Sequence, residues 1–248
     1  MSFDDERSQF MKAMRVLTRC FTLLCVLVMW CVALSSFGQI YVEDDFQDAA
    51  KSEKIWEIIA GDWRVADGVF HQLAQGDSWL VAMVASDKWD NNWTEYTVEV
   101  SGTQLEPGDH PLQILFRVQE PVPQTWEDRN APQTHMYRWI INGWTNTLCR
   151  PYIYNEGTAT MLAEKPLTLE IGKFYRFKLE VTNKGLRGYV DDEEMFDVEH
   201  AEWIDGRVGL QSFGGMADFD VFILYGPSGT AVEPRGKLAV TWAALKAE

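Results

Sequence analysis

A two-residue alternation of apolar and polar side chains is the feature that most constrains how this chain can fold. Residues 96–100, 114–118 and 175–181 each place apolar side chains at every second position. Successive side chains of a β-strand point to opposite faces, so each of these segments predicts a strand with one buried face. We count about a dozen such short strands between residues 40 and 225, and no long helix among them.

Turn signals separate the predicted strands. Asp67 and Gly68 lie between two short apolar segments, and Asp-Gly is a strong signal for a two-residue hairpin loop. Such a loop pairs Ala66 with Val69 directly across the hairpin. Further turn signals lie at residues 183–185 and 191–192. Many short strands joined by turns predict an all-β fold, a two-sheet antiparallel jelly-roll sandwich.

The N-terminal segment has the pattern of a signal peptide. Residues 20–34 are apolar and uncharged, with Arg15 and Arg19 before them. Fifteen residues match a signal-peptide core and are short for a membrane span. Small residues at Ser36 and Gly38 predict cleavage before residue 39. An uncleaved membrane anchor is the alternative.

The sequence predicts three regions: a signal peptide at 1–38, a jelly roll at 39–225, and a linker with a short C-terminal helix at 226–248. The acidic start of the first region is unusual for a signal peptide, so translation from Met11 or Met14 is an alternative. Once the signal peptide is cleaved, no membrane span is expected. The predicted location is the bacterial periplasm or the extracellular space.

Charge and cysteine content narrow the functional classes. The chain has 37 acidic and 22 basic residues, a formal net charge of −15. Such a protein repels phosphate backbones, so nucleic acid is not an expected partner. Three of the four cysteines lie in the predicted signal peptide, which leaves Cys149 as the one thiol of the exported chain. An internal disulfide is therefore not expected.

Six segments, taken in order, resemble the concanavalin A-like lectin/glucanase superfamily: YVEDDF, GDWRVADGVF, WTEYTVEV, ILFRVQ, FYRFKLEVTNKGLRGYVDDEEMF and GRVGLQSFGGMADFDVFILY. Laminin-G-like modules and the keto-disaccharide hydrolase domain are the most similar branches. The resemblance covers residues 41–225. It implies a two-sheet jelly roll that binds a glycan or glycoprotein on its concave face or on the adjoining loops.

The sequence contains weaker evidence for catalytic or metal-binding motifs than for the jelly-roll fold. The paired-carboxylate strand motif of the glucanase branch is absent, and of the hydrolase branch's strand motif only Arg117 carries over. The four histidines lack zinc-ligand spacing. No cofactor is predicted; calcium held by Asp44 and Asp218 is the alternative, because the first and last strands of a jelly roll are neighbours.

Aromatic and polar residues of the central strands are the candidate ligand contacts, because rings stack on sugar faces while polar groups bond to hydroxyls. If Ile114, Phe116 and Val118 face the core, alternation turns Arg117 to the open face, and Arg138 of the next strand is expected beside it. Arg117→Ala is then expected to weaken binding without affecting folding. The candidate residues are Gln113, Arg117, Gln119, His135, Arg138, Trp139, Trp144 and Tyr152.

The sequence leaves three functions open. The first is an exported, non-catalytic carbohydrate-binding or adhesion module. The second is a glycoside hydrolase or lyase, which requires acid and base groups to converge on the open face. The third is a structural cell-surface domain, which predicts an open face filled with large apolar side chains.

Overall fold

The computed structural model describes residues 38–74, 79–125 and 127–227. Its strands are β1 (Ile40–Asp44), β2 (Trp56–Ala60), β3 (Trp63–Ala66), β4 (Val69–Gln72), β5 (Leu80–Val84), β6 (Tyr96–Gln104), β7 (His110–Val118), β8 (Met136–Asn142), β9 (Leu148–Asn155), β10 (Thr158–Met161), β11 (Lys165–Pro166), β12 (Tyr175–Val181), β13 (Leu186–Val190), β14 (Glu193–Val198), β15 (Arg207–Phe213) and β16 (Ala217–Tyr225). The helical elements are the single turns α1 (Ala49–Ser52) and α2 (Gly143–Asn146), with 3-10 turns at Ser86–Lys88 and Asp128–Asn130.

These strands form two antiparallel sheets, which confirms the predicted sandwich. The first sheet has the order β14-β13-β12-β6-β16-β4-β3, and β1 also pairs with β16. The second sheet has the order β10-β9-β8-β7-β15-β5-β2, and β11 also pairs with β9. Strands distant in sequence are neighbours in both sheets, as β6 and β16 are, which is the connectivity of a jelly roll.

The hydrophobic core lies between the two sheets, where the alternating patterns meet. Val98 and Val100 of β6, Ile114 of β7, and Phe177 and Leu179 of β12 are all buried there. The intervening residues of β6 and β12 are mostly polar. In β7 the intervening residues are buried as well, because the outer face of this strand is covered. Burial of this apolar area is the main term that holds the sheets together.

The predicted hairpin is confirmed in its register. Ala66 pairs with Val69, and Val65 with Phe70. The two loop residues both have left-handed backbone angles, with φ of 52° at Asp67 and 77° at Gly68. That geometry matches the right-handed twist of the flanking strands, which is why Asp-Gly is preferred there.

A bulge in β7 overturns the predicted orientation of Arg117. Leu115 pairs with Gly209 and Val118 with Arg207, so β7 has one more residue than β15 between these two pairs. Arg117 has a φ of 49° at this extra position. The bulge breaks the alternation, so Arg117 is buried between the sheets and Val118 packs on the outer face instead.

The predictions for the chain ends lie outside the described residues. These are the signal peptide, apart from Gly38 at its predicted end, and the C-terminal helix with most of its linker. Within the described ranges, none of the helices has the length and apolar character needed to cross a membrane.

Candidate functional site

The candidate site is a cleft of about 530 Å³ on the outer face of the second sheet. Alternation along β8 and β9 turns Arg138, Tyr152 and Tyr154 toward it, while the intervening Trp139 and Ile153 join the core. Its described lining consists of Asp109, His110, Arg129, Arg138, Ile140, Trp144, Tyr152, Tyr154, Ala159 and Phe213. The cleft therefore combines several aromatic rings with charged and hydrogen-bonding groups.

A strained turn presents Trp144 to the cleft. Trp144 and Asn146 of α2 have φ values of 53° and 61°, which are uncommon for residues other than glycine. The Asn146 side chain fixes the turn, because its Nδ2 donates to the Leu169 carbonyl at 2.6 Å and its Oδ1 accepts from the Leu169 N–H at 2.8 Å. The Arg150 guanidinium lies 3.9 Å from the Trp144 ring centroid. These contacts hold the indole in place at the cleft.

A row of polar side chains crosses the floor of the cleft. Gln113 of β7 donates from Nε2 to the His110 carbonyl at 2.6 Å and accepts from Arg138 Nε. Arg138 Nη1 donates to the Tyr154 hydroxyl at 3.0 Å. Gln113 also lies opposite Gln211 of β15 in the strand register. The row orients Arg138 through neutral partners alone.

His110 is held as a neutral ring against Trp144. The two ring centroids are 4.5 Å apart, and His110 Nδ1 lies 3.2 Å from Asp109 Oδ2. Burial, reinforced by the nearby Arg138 charge, lowers the pKa of His110 to about 4. At neutral pH the positive charge of the described lining therefore comes from Arg129 and Arg138.

The remainder of the outer face is apolar and covered. Val81, Met83, Leu115, Met136 and Val122 form a second buried cluster there, and Val122 comes from the loop after β7. Trp79 belongs to this cluster, and its ring lies 5.2 Å from the Arg138 guanidinium. The face is thus divided into an apolar half and the polar, aromatic cleft.

The structure brings together four of the predicted site residues. Arg138, Trp144 and Tyr152 line the cleft, and Gln113 supports Arg138 from below. Arg138 faces the open side, as alternation predicts once Trp139 faces the core.

Trp139 and Arg117 are placed in the interior instead. Trp139 is fully buried in the core, where its Nε1 donates to Cys149 Sγ at 3.0 Å. Arg117 Nη2 donates to the carbonyls of Thr94 and Thr182 at 2.9 and 3.0 Å. The prediction that these two side chains face a ligand is therefore wrong. Strand alternation turns Trp139 inward, and the bulge turns Arg117 inward.

His135 and Gln119 lie outside the cleft. His135 packs its ring against Trp203 at 4.6 Å. Gln119 donates to the Asp205 carbonyl at 2.7 Å and lines a separate depression of about 770 Å³ at the end of β7. In that depression Arg207 donates to Glu120 at 2.8 Å and to Glu57, so its charge is already compensated.

The alternative calcium site is not assembled. Asp44 pairs in register with Phe222, four residues along β16 from Asp218, which corresponds to roughly 13 Å. Asp44 accepts from Trp56 Nε1 at 3.1 Å, and Asp218 from His71 Nδ1 at 2.7 Å. In the ranges that the structure describes, no group of three or more His, Cys, Asp or Glu side chains is arranged to hold a metal ion.

Several cleft residues were not among the predicted ones. Tyr154 could have been included, because alternation places it on the same face as Tyr152. His110 and Phe213 are more than a hundred residues apart in sequence, and only the pairing of β7 with β15 places them opposite each other. No local pattern carries that information.

Comparison with known proteins identifies the type of fold but does not assign this chain to a family. Neither a protein-family model nor a curated protein matches the sequence. The carbohydrate-binding module CBM66 from Bacillus subtilis is 16% identical, with a TM-score of 0.54 over 70% of this chain and 96% of that module. A Bacillus subtilis protein of unknown function with a galectin-like fold is 10% identical, with a TM-score of 0.60 over 77% and 97%.

An endo-β-galactosidase from Clostridium perfringens, which releases GlcNAcα1-4Gal, is 12% identical. Its TM-score is 0.55, over 80% of this chain and 65% of the enzyme. Together these structures confirm the resemblance to concanavalin A-like sandwiches at the level of the fold. Binding modules and enzymes share this fold, so function has to be argued from the cleft.

Proposed function

We propose that this protein is a carbohydrate-binding module whose ligand lies in the cleft on the second sheet. The observation that carries the proposal is the combination of Trp144 and Tyr152, two partly exposed rings, with the polar row that ends at Arg138. Flat aromatic faces pack against the C–H faces of sugar rings, and the adjacent polar groups bond to hydroxyls. The structural similarity to CBM66 supports the same function.

Binding is favoured over hydrolysis by the chemistry of the lining. Glycoside hydrolysis by the common route uses two carboxyl groups about 5–9.5 Å apart. Asp109 is the one carboxylate in the described lining of the cleft. The aromatic and guanidinium groups need no such partner to bind a sugar.

A glycan array with the full chain tests the proposal, followed by calorimetry with the ligand that binds most tightly. Trp144→Ala and Tyr152→Ala should each weaken binding by about 1–2 kcal/mol, or about five- to thirtyfold in Kd. Tyr189→Ala is the matched control, because Tyr189 is a partly exposed ring on the first sheet. Equal affinities for all four proteins, or no ligand on the array, would contradict the proposal.

We also propose that the protein is exported and meets its glycan, free or on a glycoprotein, outside the cytoplasm. The apolar segment at 20–34 and the small residues Ser36 and Gly38 support this. N-terminal sequencing of the exported protein should then begin near Gln39. A mature product that still contains Trp30 would contradict cleavage.

A further inference from the structure

Arg138 is a buried charge without a carboxylate partner among the described residues. Its side chain is 1% exposed, and its hydrogen-bond partners are the Gln113 amide and the Tyr154 hydroxyl. Nη2 has no hydrogen-bond partner in the described part of the chain. Arg138 also lines the cleft, so this unused donor is covered and lies at or just beneath the cleft floor.

Arg207 shows how the same protein buries an arginine for structural purposes. Its guanidinium is 6% exposed and donates to the carboxylates of Glu57 and Glu120. A buried charge is costly unless it is paired with an opposite charge. Arg138 is buried more deeply than Arg207, and its described partners are neutral, as are those of Arg117. Of these two guanidiniums without a described carboxylate partner, Arg138 is the one that lines the cleft.

A second guanidinium lies beside the first. Arg129 Nη1 is 3.4 Å from the Tyr154 hydroxyl, which also accepts from Arg138. Two guanidiniums therefore lie around one phenol, and Asp109 is the one acidic group of the described lining. The whole chain carries a net charge of −15. Positive side chains thus outnumber acidic ones in the described lining of a protein that is acidic overall.

We infer that the cleft selects an acidic sugar, whose carboxylate or sulfate ester binds the Arg138 guanidinium at its unpartnered Nη2. This inference rests on the carbohydrate-binding function proposed above and names the class of its ligand. The guanidinium is weakly hydrated and matches the geometry of anionic oxygen groups. Trp144 and Tyr152 then pack against the sugar ring while the anionic group reaches the floor of the cleft.

The net negative charge of the protein helps to distinguish a local site for an acidic sugar from unspecific attraction. A protein with a net charge of −15 repels polyanions in general, so unspecific attraction does not account for binding of an acidic glycan. Such binding would report a local site.

The test compares matched ligands on the full chain by calorimetry. One arm uses oligouronates and the same oligosaccharides after carboxyl reduction to neutral sugars; a second uses sulfated oligosaccharides and their desulfated forms. We expect at least tenfold tighter binding of the charged member in one arm, and that arm identifies the anionic group. If neutral members bind equally well, the acidic-sugar inference is wrong while carbohydrate binding stands. If neither these ligands nor an array shows binding, both proposals fail.

Two variants assign the selectivity to Arg138. Arg138→Met should abolish the preference for the charged ligand, whereas Arg64→Met removes the same charge from an exposed site on β3 and should leave the preference intact. Thermal melting provides an independent readout. Arg138→Met removes an uncompensated buried charge, which favours the folded state, and also the donor to Gln113 Oε1 and the Tyr154 hydroxyl, which opposes it. The variant should therefore melt close to the temperature of the parent protein.

A variant that melts well below the parent protein would show that Arg138 is structural and would overturn the inference. Arg138→Lys is the conservative variant. It keeps the charge but loses the planar fork, and we expect it to recover part of the selectivity. Full selectivity in Arg138→Met would likewise rule out this role.

Discussion

Three buried arginines show how neighbouring groups decide what one residue type does. Arg207 is neutralised by two carboxylates, and Arg117 donates to two backbone carbonyls between the sheets. Arg117 and Arg138 both have neutral partners and at least one nitrogen without a described partner, but Arg138 alone among the three lines the cleft. In sequence all three lie at strand positions, and their different roles follow from the partners that the fold supplies.

Arg117→Ala is expected to destabilise the fold and to leave glycan binding unchanged. The substitution leaves the Thr94 and Thr182 carbonyls without their shared donor and opens a cavity between the sheets, so the free energy of unfolding should fall by about 2–4 kcal/mol. Urea unfolding and calorimetry on the folded fraction measure the two effects. Weakened binding at unchanged stability would restore the orientation predicted from simple alternation.

His110 should make stability depend on pH in the mildly acidic range. Its folded pKa of about 4 lies below the unfolded value near 6.5, so the unfolded chain binds the proton more readily. The contribution of the neutral ring is complete above pH 6.5 and is lost as the pH falls toward 4, by about 3 kcal/mol in total. Asp109 and Arg138 face this ring and set its charge environment.

His110→Gln isolates that contribution, because glutamine does not titrate. Unfolding free energies measured at pH 7, 5.5 and 4.5 should decline more steeply for the parent protein than for the variant. Parallel curves would mean that the His110 ring titrates alike in the folded and unfolded chains.

At the scale of the element, one inserted residue in β7 rearranges a whole face. The bulge at Arg117 turns that residue inward and Val118 outward, where Val118 packs with Leu115 and Met136. Residues before the bulge keep the alternation, so Gln113 still points to the outer face, where it contacts Arg138. The bulge therefore adds Val118 to the apolar half of the outer face and turns Arg117 away from it.

The β3–β4 hairpin offers a test of an element whose register the sequence predicts. Gly68 has a φ of 77°, and an added Cβ would lie 2.0 Å from Gln47 Nε2. Gly68→Ala should lower the free energy of unfolding by about 1 kcal/mol, since alanine adopts this backbone conformation poorly. Asp67→Asn is the control and should change stability by less than about 0.5 kcal/mol, because asparagine suits this position. If the free energy of unfolding of Gly68→Ala equals that of the parent protein, residue 68 does not have the left-handed conformation.

At the scale of the whole molecule, packing between the sheets holds the described sandwich together without a disulfide in it. Cys149 is the one cysteine of the described residues, and it is free and buried in the core. Burial raises the pKa of its thiol to about 12, so the reactive thiolate is scarce at neutral pH.

We expect reductant to leave the melting temperature unchanged and Cys149 to resist alkylation in the folded protein. Melting curves with and without reductant test the first expectation. Peptide mapping after iodoacetamide treatment at pH 8, with and without denaturant, tests the second. Rapid labelling of Cys149 in the native protein, or a large loss of melting temperature on reduction, would contradict this description of the core.

Local patterns determined the sandwich, the strands and the hairpin register, because a two-residue period and turn chemistry act between near neighbours. Alternation also predicted that Arg138 faces outward. It failed at Arg117, where an inserted residue shifts the period. At Trp139 the alternation held, and the prediction that Trp139 contacts a ligand was wrong because Trp139 takes the face opposite Arg138.

Only the tertiary structure decided the composition of the cleft. His110 and Phe213 come from β7 and β15, and only the long-range pairing of these strands brings the two residues together at the cleft. The same holds for the charges: the sequence alone determined that the protein is acidic overall, whereas the fold decided that Arg207 meets two carboxylates and Arg138 meets neutral groups. Electrostatic pairing depends on distances of a few ångströms between residues far apart in the chain, and no pattern along the sequence encodes those distances.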